Sequence, residues 1–458
     1  MKPIRADLEC KAGSLPKLRF ETQQLTSFGG LILVQALYER WGLKKRLQRV
    51  FRAQAGGSYG FWRIFLLMVT HLMLGFRRLR DAQSYRNDPL VKQTIGLHQL
   101  PDVSTWSRRL AALDPRSVAK AHEENRELVI EGLHTYGLSR FTLDFDGSVL
   151  STRRHAEGTA VGFNRKRKGE RSYYPLLCTV AQSAQAFDFL HRPGNVHDSQ
   201  GAPAFMADCL NAFGKGFPRA ILEVRADSAF FNEELVGVQD EQGTEFSFSV
   251  PFERFAQLKE IIEARKRWHR ADEQTEYFEF DWRPACWSRR KIRLIAVRRR
   301  QRRQVKGPLQ LDLFQPVDFD HQFSVIATNK TVGAPAVIAF HHGRGSQEGV
   351  IGELKSAMQV DYVPCRRRLA NEAYMLAAVF AHNLLRLMQM DDSTFRGNRQ
   401  WTRPACWAFE KAETLRMTLL HRAGKLTEPG NRPTLTISGD KKVERRFHQM
   451  LEQMGRAA

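Results

Sequence analysis

The sequence predicts an α/β protein: a mixed-sheet core with a β-rich insertion, preceded by an all-helical region and followed by a helical one. Three observations carry this. Up to about residue 138 the apolar positions recur at helical spacing, from Arg140 the period falls to two, and beyond Lys355 it is helical again. A chain of 458 residues is long enough for two or three structural units. The divisions expected are 1–138, then 139–360 with the insertion at about 245–320, then 361–458.

In the first region helical spacing covers 31–50, 61–76 and 118–135, with breaks at Gly56-Gly57 and Pro101. Leu100-Pro-Asp-Val-Ser-Thr-Trp-Ser-Arg-Arg-Leu110 opens with a turn and an N-cap candidate and continues as a basic helix. It reads either as the DNA-contacting helix of a helix-turn-helix or as an amphipathic helix with solvated arginines. From Arg140, Phe141, Leu143 and Phe145 alternate with Thr142, Asp144 and Asp146 in a strand that ends at Gly147. Residues 173–180 and 186–191 read as two further strands of a meander, 199–213 as a helix, and 220–224 as a buried strand running into Arg225-Ala-Asp-Ser228. Strand, strand, strand, helix, strand is the order of an RNase H-like core, with its carboxylates at strand ends.

A strand at 246–250, a helix at 253–265 and a β-rich stretch at 276–297 holding Trp282 and Trp287 come next. The charge run Arg298-Arg-Arg-Gln-Arg-Arg303 then reads as a nucleic-acid contact or a solvated loop, and 323–328 returns to strand. Helices at 369–390 and 404–422, then a short strand and a closing helix, complete the chain.

Composition bounds the partners. Lysine and arginine total 71 against 49 acidic residues, a net charge of +22, so a polyanion is the expected partner, either nucleic acid or an anionic membrane surface. The most apolar run, 64–76, is interrupted by His71 and falls short of the roughly 20 apolar residues a membrane span requires. No apolar core of a signal peptide follows Met1-Lys-Pro-Ile-Arg5. Six cysteines without CxxC spacing suggest neither a zinc site nor a disulfide framework. A reduced, cytoplasmic protein without membrane association is expected.

The chemistry concentrates in His341-His-Gly-Arg-Gly-Ser-Gln-Glu-Gly-Val-Ile-Gly-Glu-Leu-Lys355. Arg344, Glu348 and Lys355 follow one another at offsets of four and seven, which return to one helical face. A carboxylate between two cations suits a metal-dependent phosphodiester site, or else a solvated face of spaced ion pairs. Gly343, Gly345, Gly349 and Gly352 are a poor composition for a merely structural helix. Asp146 and Asp227, at strand ends, could converge with Glu348. Three carboxylates favour a hard cation, Mg²⁺ or Mn²⁺, over zinc. Asp144 rivals Asp146, because the two share a strand face.

Here the residues carry a resemblance. His341, Arg344, Glu348 and Lys355 match the Y-x2-R-x3-E-x6-K signature of the DDE transposases encoded by bacterial insertion sequences, with histidine in place of tyrosine. Leu143-Asp-Phe-Asp-Gly-Ser-Val149 resembles that group's first-aspartate motif and Val224-Arg-Ala-Asp-Ser-Ala-Phe230 its second. Gly162-Phe-Asn-Arg-Lys-Arg-Lys-Gly-Glu-Arg-Ser-Tyr-Tyr-Pro-Leu176, which includes Arg165, Lys166, Arg167 and Lys168, resembles the basic segment that the group places between its first two strands.

The resemblance implies a catalytic triad of Asp146, Asp227 and Glu348 that also holds the metal. The Asp-Gly-Ser spelling, close to the group's Asp-x-Thr, selects Asp146 over Asp144. It implies phosphate contacts from Arg344, Lys355 and His341, and DNA contacts from the basic segment. Trp282 or Trp287 would stack on a flipped base where a hairpin is formed at the transposon end. The activity implied is metal-dependent cleavage at terminal inverted repeats of double-stranded DNA and strand transfer to a target, by a homodimer on paired ends associated with the nucleoid. Region 1–138 would bind DNA, and region 361–458 would serve dimerisation or DNA contact. A catalytically inactive DNA-binding repressor or domesticated relative, or a stand-alone nuclease, are the alternatives.

Overall fold

The computed structural model describes residues 15–21, 23–57, 59–153, 155–162, 164, 167–288, 291–300, 321–392, 406–429 and 432–455. Among the described residues the first elements are a short strand, β1 (Leu25–Thr26), and six α-helices: α1 (Leu31–Arg40), α2 (Leu43–Val50), α3 (Phe61–Met73), α4 (Pro89–Ile95), α5 (Val103–Ala111) and α6 (Pro115–His134). The helical spacing over 31–50 is realised as two helices, because Gly42 adopts φ 57°, a left-handed conformation that ends one helix and starts the next. α3 buries every residue but Arg63, as its all-round apolar sequence requires. α6 starts where Pro115 occupies the first turn and the Asp114 carboxylate accepts the Ser117 N–H at 2.9 Å. In α5, Trp106 and Leu110 face the core, while Ser104, Ser107 and Arg108 are exposed.

The strands that follow are β2 (Arg140–Gly147), β3 (Leu150–Thr152), β4 (Ala160–Val161), β5 (Arg171–Tyr173), β6 (Leu176–Val180) and β7 (Gln185–Leu190). After α7 (Ala202–Gly216) come β8 (Ile221–Ala226), α8 (Glu233–Glu241), β9 (Glu245–Ser249) and α9 (Ala256–Glu263). β10 (His269–Arg270), β11 (Thr275–Trp282), β12 (Ile292–Arg300) and β13 (His321–Thr328) complete the series. Among the described residues one mixed sheet has the strand order β10-β11-β12-β13-β9-β8-β2-β6-β7, and β3, β5 and β4 form a small second sheet. β2 runs parallel to β8, and β8 to β9; every other pairing in the large sheet is antiparallel. β9 lies inside the expected insertion, yet it pairs with β8 and is an interior strand. The hairpin strands beyond it extend the same sheet.

The remaining elements are α10 (Ala334–His342), α11 (Gly345–Ser356), α12 (Arg368–Asp391) and α13 (Ala412–Leu415), which runs into a π-helical turn at Arg416–Leu420. A hairpin of β14 (Gly424–Thr427) and β15 (Thr434–Ile437) and the closing helix α14 (Lys441–Gln453) follow. One continuous apolar core runs from Phe28 to Met454 and joins the helical region, the sheet and the C-terminal helices. α12 is its axis, buried almost throughout against α3 and α6. Arg416 ties the parts together: its buried guanidinium donates to the carbonyls of Leu72, Met73 and Ala357, each at 2.7 Å. β1 pairs with β14, so the two ends of the described chain share a sheet. Among the described residues no helix is long and apolar enough to cross a membrane.

A buried charged cluster locks α6 to β7 and α12. His122 Nδ1 lies 2.5 Å from Asp188 Oδ1, its Nε2 lies 3.4 Å from Glu372, and Arg126 donates to Asp188 Oδ2. Burial pushes the imidazole down, but the Asp188 and Glu372 carboxylates outweigh it and hold His122 at about 9. A folded-state value above the unfolded one, about 6.5, stabilises the fold fully below that unfolded value, and the gain is lost as pH rises through about 9. His122→Gln is therefore expected to cost about 2–3 kcal/mol at pH 6 and much less at pH 10 in urea unfolding. Equal costs at both pH values would remove the charged role assigned to His122.

Candidate active site at two strand ends

Parallel pairing brings the first two acids together. The last paired residues of β2 and β8 are Phe145 and Ala226, so Asp146 and Asp227 are the next positions on adjacent strands, which lie about 4.8 Å apart. Asp227 also caps a short 3₁₀ turn, its Oδ1 accepting the Ala229 N–H at 2.9 Å. Burial, then the charge of Asp227, raises Asp146 to about 7; burial likewise raises Asp227, against the pull of the Ala229 N–H. Arg344 Nη1 is 3.9 Å from Asp146 Oδ2.

Asp144 has a different fate. It is fully buried and accepts Arg225 Nε at 2.6 Å and Nη2 at 2.7 Å, in a bidentate pair between residues directly in register on β2 and β8. Arg225 Nη1 donates to the Phe340 carbonyl at 2.8 Å, and Gln347 Nε2 donates to the Asp144 carbonyl at 2.8 Å. These bonds dock the α10–α11 junction on the strand ends. A Cβ at position 343 would fall 2.4 Å from Arg225 Nη1, so Gly343 permits the approach.

The expected single stripe is broken. α10 ends at His342 and α11 starts at Gly345, so Arg344 sits at the junction while Glu348 and Lys355 lie on α11. Glu348 is exposed in the first turn of α11. Among the described residues no three His, Cys, Asp or Glu side chains are grouped closely enough to hold a metal ion, so the fold brings Asp146 and Asp227 together without grouping Glu348 with them. Lys355, Arg167, Arg254, Asp198, Tyr174 and Asp227 face one cleft of about 950 Å³. Lys168 is exposed, while Arg165 and Lys166 lie outside the described residues.

Two expectations are corrected. His341 is buried and its nitrogens are taken, Nδ1 by Ser247 Oγ at 2.7 Å and Nε2 by Ser249 Oγ at 2.9 Å, which leaves neither for a phosphate. Trp282 and Trp287 are each 8% exposed and pack on Phe255 and Phe231, so neither ring is presented to a base. The charge run is not decided: Arg298–Arg300 lie on β12, Arg298 pairing with Glu276 at 2.6 Å while Arg299 and Arg300 are exposed, and 301–303 lie outside the described residues. Sequence reasoning missed Arg225, Tyr174, Arg192 and Asp198. Pairing the two aspartate motifs in register would have exposed Arg225 opposite Asp144; the loop holding Asp198 carries no periodic signal.

A family model described as transposase DDE domain group 1 matches residues 11–458. The chain belongs to that family. It is a DDE-type transposase, an enzyme of DNA transposition. No curated protein matches it. Among solved structures, this transposase is similar to the piggyBac transposase synaptic complex with hairpin DNA, at 10% identity over 87% of this chain and 83% of that one, with a TM-score of 0.43. The Mos1 transposase paired-end complex with left transposon end matches at 9% identity over 39% and 57%, with a TM-score of 0.19.

The two neighbouring aspartates should respond oppositely to neutralisation. Asp144→Asn leaves Arg225 buried without its counter-charge and is expected to cost about 3–5 kcal/mol in urea unfolding. Asp146→Asn removes a carboxylate held against another one and should leave stability unchanged or higher at neutral pH. Equal losses for the two would undo this separation of roles.

Proposed function

We propose that Asp146, Asp227 and Glu348 form the catalytic triad of this transposase on an RNase H-like core, cutting at transposon ends and joining the freed ends to target DNA. The observation that carries this is the Asp146–Asp227 pair: two like charges on adjacent strand ends, both raised, with a guanidinium no nearer to Asp146 than 3.9 Å. Such a pair is costly for the free chain and suits a divalent cation. The strand order supports the fold reading, since β7-β6-β2-β8-β9 is an antiparallel meander continued by two parallel strands.

The donors fit the group. They are carboxylate oxygens, which favour Mg²⁺ or Mn²⁺, and a neighbouring carboxylate, Asp198, has a buried oxygen with the Tyr174 hydroxyl as its side-chain partner, which leaves acceptor capacity for a cation. When bound, the cation would activate the attacking hydroxyl and stabilise the leaving oxygen. Asp146 and Asp227 would hold it from the strand ends. Glu348 would join them from α11 once DNA fills the cleft, its helix already fixed at the Arg225 junction. Arg344 and Lys355 would hold phosphate oxygens. An intact acid trio and a chain charge of +22 favour transposition over a purely binding role. We assign region 1–138 to DNA binding, region 361–458 to DNA contact or dimerisation, and the working form to a homodimer on paired ends of a bacterial insertion sequence, acting at the nucleoid.

Asp146→Asn, Asp227→Asn and Glu348→Gln should each lower cleavage of DNA carrying the element's ends by at least about a thousandfold, while gel-shift affinity persists. Retained cleavage in any one of them would remove that residue from the triad. Wild-type protein that binds but never cleaves would favour the repressor reading, and cleavage without joined products the nuclease. Affinity for end DNA should fall by about a thousandfold between 50 and 200 mM salt, because lysine and arginine make the phosphate contacts.

A further inference from the structure

Beside the two aspartates stands a built carboxylate that the triad does not use. The loop bearing it is organised by Arg192, which is 5% exposed. Arg192 Nη1 donates to three loop carbonyls, those of His197 at 3.3 Å, Asp198 at 2.8 Å and Gln200 at 2.8 Å. Its Nε donates to the Tyr174 carbonyl at 3.1 Å, and its guanidinium lies 5.4 Å from the centre of the Tyr174 ring. One buried cation thus fixes both the Asp198 backbone and the connection between β5 and β6 that carries Tyr174.

The Asp198 side chain is directed at the catalytic strand. A Cβ on Gly147, the residue after Asp146, would fall 2.4 Å from Asp198 Oδ1 and 2.6 Å from the Tyr174 hydroxyl, so only glycine lets both groups close over the end of β2. Asp198 Oδ1 is buried, and the side-chain hydrogen bond this carboxylate makes is with the Tyr174 hydroxyl. One hydroxyl leaves most of a carboxylate's acceptor capacity open to a ligand. Asp198 and Asp227 line the same cleft, and the charge of Asp198 acts on Asp146 and Asp227 alike.

We propose that Asp198 is a further carboxylate of this active site, a positioning residue fixed by Arg192 and Tyr174, whose charge sets how tightly the site takes a divalent cation. The inference rests on the assignment of Asp146 and Asp227 as cation ligands. Asp198 adds a third carboxylate beside Asp146 and Asp227 without being required as a ligand of the same ion. It acts on cation affinity rather than on the bond-making step itself.

Mn²⁺ binding to the purified full chain without DNA, followed by electron paramagnetic resonance, tests this. Wild type should bind, Asp146→Asn and Asp227→Asn should abolish binding, and Asp198→Asn should weaken it by about tenfold. Asp198→Glu should recover most of the loss. Cleavage by Asp198→Asn should need correspondingly more Mg²⁺ yet approach the wild-type rate at saturation. Tyr174→Phe, which keeps the ring on Arg192, should weaken Mn²⁺ binding more mildly, and it carries the test if Asp198→Asn does not fold. Wild-type Mn²⁺ affinity in Asp198→Asn, with binding lost in Asp146→Asn, would overturn this proposal alone. Binding that ignores all three acids would overturn it together with the cation-site assignment.

Discussion

The site depends on one buried ion pair, Asp144 with Arg225. Both side chains are 1% exposed, and the pair joins β2 to β8 two residues before Asp146 and Asp227. Desolvating two ions cancels most of their attraction, so apolar residues of the same volume could give equal stability. What apolar residues could not do is donate to the Phe340 carbonyl. Arg225 has five N–H donors in a rigid fork, two for Asp144 and one for the end of α10, and that third bond holds the helix junction over the strand ends. Lysine could not satisfy both partners with the same geometry.

The parallel strands carry opposite electrostatics at their two ends. At the amino ends, Glu223 and Glu245 are met by Arg140 and Lys330, and despite burial these cations hold Glu245 below the usual carboxylate range. At the carboxyl ends Asp146 rises to about 7 with no such matching. The same residue types are thus balanced where they only hold the sheet together and left unbalanced where a cation and phosphates could enter. Ligand sites at the carboxyl ends of parallel strands are a general feature of open α/β sheets. Two residues below the Asp146–Asp227 pair the Asp144–Arg225 pair is fully compensated, so repulsion is left only at the strand tips where the chemistry is proposed.

Much of the frame was legible in the sequence because period is a local property. The switch at Arg140 located β2, and the apolar run before Arg225 located β8, within a residue or two. What pattern could not supply was pairing. That β9 belongs inside the sheet follows from its ladders to β8 and β13, which join residues far apart in the chain. The split at Gly42 and the break at Gly343–Arg344 were hidden because a single residue's backbone angle decides them while the apolar spacing continues on both sides. Trp282 and Trp287 misled for a related reason, since a tryptophan's spacing is the same whether its ring stacks on a base or fills a core.

His341 shows how a signature position can change its work without disturbing its neighbours. Burial first, then the charges of Arg344 and His342, lowers the ring to about 3, so it is neutral near pH 7. A neutral imidazole has one donor and one acceptor nitrogen, which matches a serine on each side, and Ser247 and Ser249 lie on β9. α10 is therefore pinned to β8 through Arg225 and to β9 through His341. A tyrosine offers one oxygen and could not bridge both serines. The histidine makes the junction more rigid, leaving Arg344 at the junction and Lys355 on α11 as the cationic groups chemically suited to a phosphate.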